Sequence, residues 1–274
     1  MLTNTQTVKI IKRPSAYCKT PYVADISIDD VDYLAHCPAL GCCGLSDKDA
    51  NVIVVPIESE KTKCKFRVEL AFYKDRGQET IVGINPKLAE KIMENMLSEN
   101  NCPFMKIKNY KREQKMLNSR FDFMGIDIHD REFVLEIKNV PLADYVDVPK
   151  KDRKKINTDH IPYDEKIAYF PDGYRKNSTE LVSPRAFKHI QELEKIVKTT
   201  NYRAILCFMV QRPDVSCFQP SNIDLQYKQA VIDAWLNGVE IYAIQIKWHI
   251  NGTYEFIKLL PVRLFDYEGP ILVH

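Results

Sequence analysis

Between Asn118 and Val140 the chain reads NSRFDFMGIDIHDREFVLEIKNV, and three of its side chains have types that could do chemistry together: Asp122, Glu136 and Lys138. Phe121 and Phe123 alternate on one side of a polar His129-Asp130-Arg131 turn, and Phe133, Leu135 and Ile137 on the other. This period of two predicts a pair of half-buried strands with Phe121 and Phe123 on one face. Residues two apart on a strand share a face, so Glu136 and Lys138 point the same way. If the turn sets residue 122 opposite 136 or 138, Asp122 joins them. Two hard-oxygen carboxylates beside an ammonium suit a divalent metal and a phosphodiester. The same three residues also suit a solvated hairpin face with a cross-strand ion pair. On these residues alone both readings stand.

The elements that must carry this hairpin follow from the surrounding pattern. From Val8 to about Ile84 lie short apolar stretches (VKIIK, YVADISI, VDYLAHC, NVIVVPI, CKFRVELAFYK, TIVGI), the spacing of a small barrel of the five-stranded OB-like kind. Asn85-Pro86 then caps and opens a helix with Leu88, Ile92 and Met96 on one face and Glu90 and Glu94 on the polar face, with Glu94 the candidate auxiliary ligand. A basic strand (106–115) precedes the hairpin. Residues 141–169 read as a polar segment whose PKKDRKK run is a solvated loop. Ser183-Pro184 opens a second helix, with Phe187, Ile190, Leu193 and Val197 as its buried side. Arg185, Lys188 and His189 near its start form a candidate anion site, with His189 equally readable as a surface histidine. ILCFMV (205–210) is a central strand, 224–237 a helix closed by Gly238, and 239–248 another strand. The fold class expected is α+β in two domains. An OB-like barrel over 1–84 is followed by an α/β domain with a mixed sheet over 85–274.

Composition narrows the classes. The 274 residues are 45% hydrophobic and 28% charged, enough to bury a core. No apolar run reaches membrane-spanning length and the amino terminus lacks a secretory pattern, so a cytoplasmic protein without membrane association is expected. Nine glycines, none in a phosphate-cradling motif, exclude a nucleotide-binding loop. Eight cysteines without a secretory context read as reduced thiols, and the His36-Cys37/Cys42-Cys43 group lacks the spacing of a zinc site. Charge is balanced over 1–80, whereas 103–121 carries six basic residues against Glu113 alone.

The pieces AHCPALGCC (35–43), VGIN (82–85), NSRFDF (118–123), EIKNV (136–140), FPD (170–172), RAFKHIQEL (185–193), FMVQR (208–212) and CF-x-P-x-x-ID-x-x-Y (217–227) resemble, in order, the sugar fermentation stimulation protein family, SfsA. The resemblance implies a second domain of the PD-(D/E)XK restriction-nuclease class. Asp122, Glu136 and Lys138 fall on that class's metal-and-lysine motif, and the resemblance adds Glu113, Gln211 and Asp172 as candidates. It implies Mg²⁺ or Mn²⁺ held by Asp122, Glu136 and the carbonyl of Ile137. Lys106, Lys108, Lys111, Arg112, Arg120, Lys150 and Lys151, with Arg185, Lys188 and His189, would contact phosphates of DNA without reading sequence. A homodimer is what cutting both strands would call for. The family's CPNTG loop reads Cys-Pro-Ala-Leu-Gly at 37–41, which exchanges polar side chains for Ala39 and Leu40, and the connections before and after FPD are longer. The function expected is therefore a metal-dependent phosphodiester hydrolase of low sequence specificity. A non-catalytic DNA-binding regulator on the same fold is the alternative, and an oligosaccharide binder a more distant one.

Overall fold

The computed structural model describes residues 1–40, 42, 44–59, 61–171 and 180–265. Asp172 lies outside the described residues, as does the side chain of Lys150. The amino-terminal stretches form β1 (Gln6–Lys12), β2 (Val23–Ile28), β3 (Val31–His36), β4 (Asn51–Pro56), β5 (Phe66–Asp75) and β6 (Gln78–Gly83). The order β3-β2-β1-β4-β5, closed by parallel pairing of β3 with β5, makes a five-stranded barrel. The length of β5 accounts for the sixth strand. Its first half closes the barrel; Leu70 and Ala71 pair with both β4 and β6, and Phe72 to Asp75 extend past β4 and pair with β6 alone. Inside, Ile10, Ala24, Ile26, Val52, Val54 and Val68 are buried, the inward half of each alternating strand.

Helix α1 (Pro86–Ser98) follows, with the Asn85 side chain accepting from the Lys87 N–H at 3.0 Å. Strands β7 (Ile107–Met116), β8 (Ser119–Asp127) and β9 (Glu132–Val140) form an antiparallel meander. The turn between β8 and β9 is fixed by the buried Asp127, which accepts from the N–H groups of His129 and Arg131 and from the Arg203 guanidinium. Helix α3 (Pro184–Thr199), β12 (Arg203–Val210), α4 (Leu225–Leu236), β14 (Glu240–Trp248) and β15 (Tyr254–Leu259) complete this unit. Its sheet runs β15-β14-β12-β9-β8-β7, with β12 parallel to both β9 and β14. Each sheet face has its own core. Phe133, Leu135 and Ile137 pack against α1 and the outer barrel residues Ile53 and Leu70; Val134 and Val140 pack against α3 and α4. The whole is an α+β chain of a barrel and a mixed-sheet domain that share apolar packing through α1.

Two expectations need correction. Residues 141–169 are not one solvated segment: they hold β10 (Ala143–Asp144), the short helix α2 (Lys150–Arg153) and β11 (Lys166–Phe170). β11 pairs with β10 and, in parallel, with β13 (Val215–Pro220), forming a second small sheet. Ala168 and Tyr169 supply its buried side, and Arg153 of the basic run turns inward to the Tyr169 hydroxyl at 2.7 Å. The lysine-dense composition concealed an arginine with a structural partner. The second correction concerns Phe121 and Phe123, which do not share a face: Phe121 joins the α3/α4 core and Phe123 the α1 core. The alternation slips at Asp122, opposite which Glu113 adopts a left-handed φ of 49° between the pairs Arg112↔Phe123 and Gln114↔Phe121.

Polar contacts also join the barrel to the sheet. Lys166, with no exposed surface, contacts Asp75 at the barrel's β5 end (3.4 Å) and Asp214 (3.2 Å), and Asp214 is gripped bidentately by the buried Arg212 at 2.7 Å. Burial would push the Asp214 carboxyl up, but Arg212 and Lys166 hold it below its ordinary value.

Candidate metal centre

The slip at Asp122 builds the site. Backbone pairing of β8 with β9 ends at Phe123↔Leu135, whereas β9 continues alongside β12 to Val140. One edge of β9 therefore loses its strand partner beyond Leu135. The orphaned N–H of Ile137 is taken by the Asp122 carboxylate, Oδ2 at 2.7 Å, in place of a ladder bond. This fixes Asp122 at the mouth of a cleft where the two strands part. Its other oxygen, Oδ1, has no donor among the described residues.

Glu136 lies on the α3 side of β9 and is almost wholly buried. Its Oε1 receives Lys138 Nζ and His189 Nδ1, both at 2.5 Å, and its Oε2 is buried without any hydrogen-bond partner. An orphaned carboxylate oxygen at this depth is costly in a protein and marks a place where a ligand completes the set. Burial pushes Glu136 up, but Lys138 and His189 outweigh it and hold the carboxyl below its ordinary value. The opposite holds for Asp122. Burial first, then the negative charge of Glu136, and to a smaller degree that of Glu90, raise it to about 7.

These groups line a cavity of about 360 Å³. Its lining brings together Asp122, Glu136, Ile137 and Lys138 with Glu90 of α1, Ser183, Arg185 and Ala186 of the α3 start, and Ala39, Leu40 and Cys42 of the barrel. Arg185 has no hydrogen bond or ion pair among the described residues and so is free to meet an anion at the helix amino end. Among the described residues no three His, Cys, Asp or Glu side chains are grouped to hold a metal. The donors that fit a divalent ion are two carboxylates with free oxygens, and the backbone carbonyl of Ile137, the residue after Glu136. All are hard oxygen donors.

The remaining candidates are distributed unevenly. Glu94 does not reach the cavity; it is bound by Arg112 at 2.7 Å, and Glu90, one turn earlier on α1, lines it instead. Glu113 is exposed beside Arg120 (3.3 Å) and outside the cavity lining, its left-handed backbone having turned it from the position opposite Asp122. Gln211 is fully buried, giving Nε2 to Asn139 Oδ1 (2.6 Å) and taking Trp248 Nε1 (2.8 Å), so it supports the strand end beyond Lys138 without facing the cavity. His189 is not a surface histidine. The buried stripe of α3 holds the expected Ile190 and Leu193 and also Ala186, His189, Glu192 and Ile196, with Phe187 and Val197 half-buried at its edge. That spacing of three and four was readable and would have turned His189 inward. Of the basic residues, Lys106 bonds the Asn100 carbonyl, Lys108 pairs with Asp130 (2.5 Å), Arg112 with Glu90 and Glu94, and Lys188 donates to the Asn118 carbonyl (2.7 Å). Lys111 and Lys151 are exposed and have no such partners among the described residues. Sequence reasoning missed Glu90 and the barrel loop at Ala39–Leu40. Nothing local distinguishes Glu90 from Glu94, and the loop's place depends on how the barrel docks.

Residues 87–252 match the family model described as the sugar fermentation stimulation protein RE domain. A sugar fermentation stimulation protein homolog of Clostridium novyi is 28% identical over 244 residues, covering 88% of this chain and 90% of that one. A homolog of Idiomarina loihiensis is 29% identical over 233 residues, covering 82% and 86%. Among solved structures, SfsA of Pyrococcus furiosus, described in complex with Ca²⁺, superposes with a TM-score of 0.73 at 20% identity over 96% of this chain and 97% of that one. No helix among the described residues is long and apolar enough to cross a membrane.

Proposed function

The chain belongs to the sugar fermentation stimulation protein family, and from that premise and the cleft geometry we propose that it is a divalent-metal-dependent phosphodiester hydrolase acting on DNA with little sequence preference. The observation that carries this reading is the buried, partnerless Oε2 of Glu136 in the same cleft as the free Oδ1 of Asp122. Two carboxylates left facing a cavity, one of them raised to about 7 by burial and then by the other's charge, have the chemistry of a cation site. The Pyrococcus relative's Ca²⁺ agrees with a divalent ion of this kind; Mg²⁺ or Mn²⁺ is the ion proposed for turnover.

A bound ion there would neutralise a phosphate oxygen and make a coordinated water more acidic. The chain's own groups do the rest. The Ile137 N–H holds Asp122 by Oδ2, leaving Oδ1 toward the cleft. His189 and Lys138 grip Glu136 by Oε1, which fixes its plane and leaves Oε2 for the ion. Lys138 lines the cavity, where its ammonium can orient the attacking water or stabilise charge developing on phosphate. Arg185, unpaired at the amino end of α3, binds a neighbouring phosphate. The exposed Lys111 and Lys151 add contacts to the backbone that carry no base information.

The test is nicking of supercoiled plasmid by the purified chain with Mg²⁺ or Mn²⁺, beside Asp122→Ala and Lys138→Ala. Nicking by the parent, lost in both variants, is expected. DNA binding without nicking under either ion would refute hydrolysis and leave a non-catalytic DNA-binding protein.

A further inference from the structure

The barrel's contribution to the cavity narrows which form of nucleic acid enters it; this inference rests on the function proposed above. The barrel's side of the cavity is apolar: Ala39, the half-exposed Leu40 and Cys42, on the loop joining β3 to β4. That loop is held in place: Arg13 donates to the Ala39 carbonyl and the Pro21 carbonyl, both at 2.7 Å, clamping it to the loop between β1 and β2. The Cys37 N–H also donates to the Tyr22 carbonyl at 2.8 Å. The rim of the cavity therefore passes directly onto the β1–β2 loop. Tyr22 is 43% exposed there and Tyr17 78%, unusual for large aromatic side chains. Lys12 and Lys19 in the same stretch are exposed and make no ion pair among the described residues.

The carboxylates and lysine of the lining would take a phosphate, and the barrel's apolar wall would take a base or sugar. Beyond the rim, two exposed tyrosines among unpaired lysines have the composition of a stacking platform along a polyanion. A duplex keeps its bases paired in the interior and offers neither the wall nor the tyrosines a free base face. A neutral sugar polymer could stack on tyrosine but would have no use for the lysines. We propose that the site takes single-stranded DNA. The strand lays its scissile phosphate over Asp122 and Glu136 and an adjoining nucleotide against Ala39–Leu40, and continues onto the β1–β2 loop, where successive bases stack on Tyr22 and Tyr17.

Binding of fluorescein-labelled oligo(dT) 20-mer and of a 20-base-pair duplex to the full chain is measured by anisotropy in Ca²⁺, with gels to confirm that the probes stay intact. Wild type is compared with the Tyr17→Ala/Tyr22→Ala double variant. The single strand should bind at least tenfold more tightly than the duplex. The double variant should lose about tenfold per tyrosine for the single strand, with duplex affinity and melting temperature unchanged. Equal or tighter duplex binding, an unaffected double variant, or displacement of the oligonucleotide by maltoheptaose would each overturn the inference. Its failure is separable from that of the hydrolase: duplex nicking without strand preference sinks only this inference, while strand-selective, tyrosine-dependent binding without hydrolysis supports it and sinks only the enzyme.

Discussion

Replacing Asp122 with Asn should make the metal-free protein more stable, and more so as pH rises. The Asp122 carboxyl has an ordinary value of 3.8 and is raised to about 7 in the folded chain. A carboxyl that holds its proton more tightly when folded costs nothing below pH 3.8, costs progressively more as pH climbs, and reaches its full cost above about 7. That interval sets a ceiling of about 2 kcal/mol at pH 5.5 and ~4 kcal/mol at pH 8. An asparagine oxygen can still accept from the Ile137 N–H, so the variant removes the charge and keeps the bond. At roughly 2–4 °C per kcal/mol for a chain of this size, melting in EDTA at pH 8 should rise by up to roughly 8–16 °C, and by about half that at pH 5.5. Saturating Ca²⁺ should raise the wild type, by about 2.7 kcal/mol at one hundred times Kd, and do little for the variant. A variant that melts at or below wild type at pH 8, or a gap that narrows with rising pH, would refute the reasoning.

Other expectations follow from the same geometry. His189→Ala should weaken Ca²⁺ binding by roughly 10–100-fold in calorimetry, because Glu136 loses a partner that fixes its plane, and His189→Gln should recover part of it. Lys166→Met leaves Asp75 and Asp214 without their shared cation and should cost about 3–5 kcal/mol in a urea melt. Gly83→Ala would drive a methyl into Gln211 and to 2.7 Å from Trp248 Nε1, where the barrel meets the sheet; a loss of about 1–3 kcal/mol is expected, and a variant as stable as the parent would show that this junction yields. Affinity for DNA should fall linearly with log salt, by about 0.9 per phosphate contacted; a flat response would remove the nucleic-acid reading.

Several features were legible because they are local. Asparagine and serine before proline opened α1 and α3, each side chain accepting from the backbone as a cap must. The six amino-terminal strands, the central run at 205–210 and the shared face of Glu136 and Lys138 followed from alternation and apolar continuity. Where pattern failed, a partner from elsewhere overrode it. Phe121 left the face of Phe123 where the side-chain alternation breaks at Asp122, whose carboxylate takes the Ile137 N–H, and Arg153 turned inward because Tyr169 offered a hydroxyl.

By itself the sequence determined that an aspartate, a glutamate and a lysine stand near each other on adjoining strands, since spacing of two and a short turn are backbone properties. Only the tertiary structure decided what surrounds them. β9 continues beside β12 after β8 has left it, so the Ile137 N–H falls to Asp122 and a cleft opens between the strands. α3 packs with His189 inward, so one oxygen of Glu136 is held and the other left bare. The barrel docks with Leu40 at the cavity's rim and Gln211 between β6 and Trp248. The inward face of α3 could be read from its own spacing, but what that face meets, like the other contacts, joins segments far apart in the chain and is set by packing and by the need to satisfy buried polar groups, which no local pattern encodes.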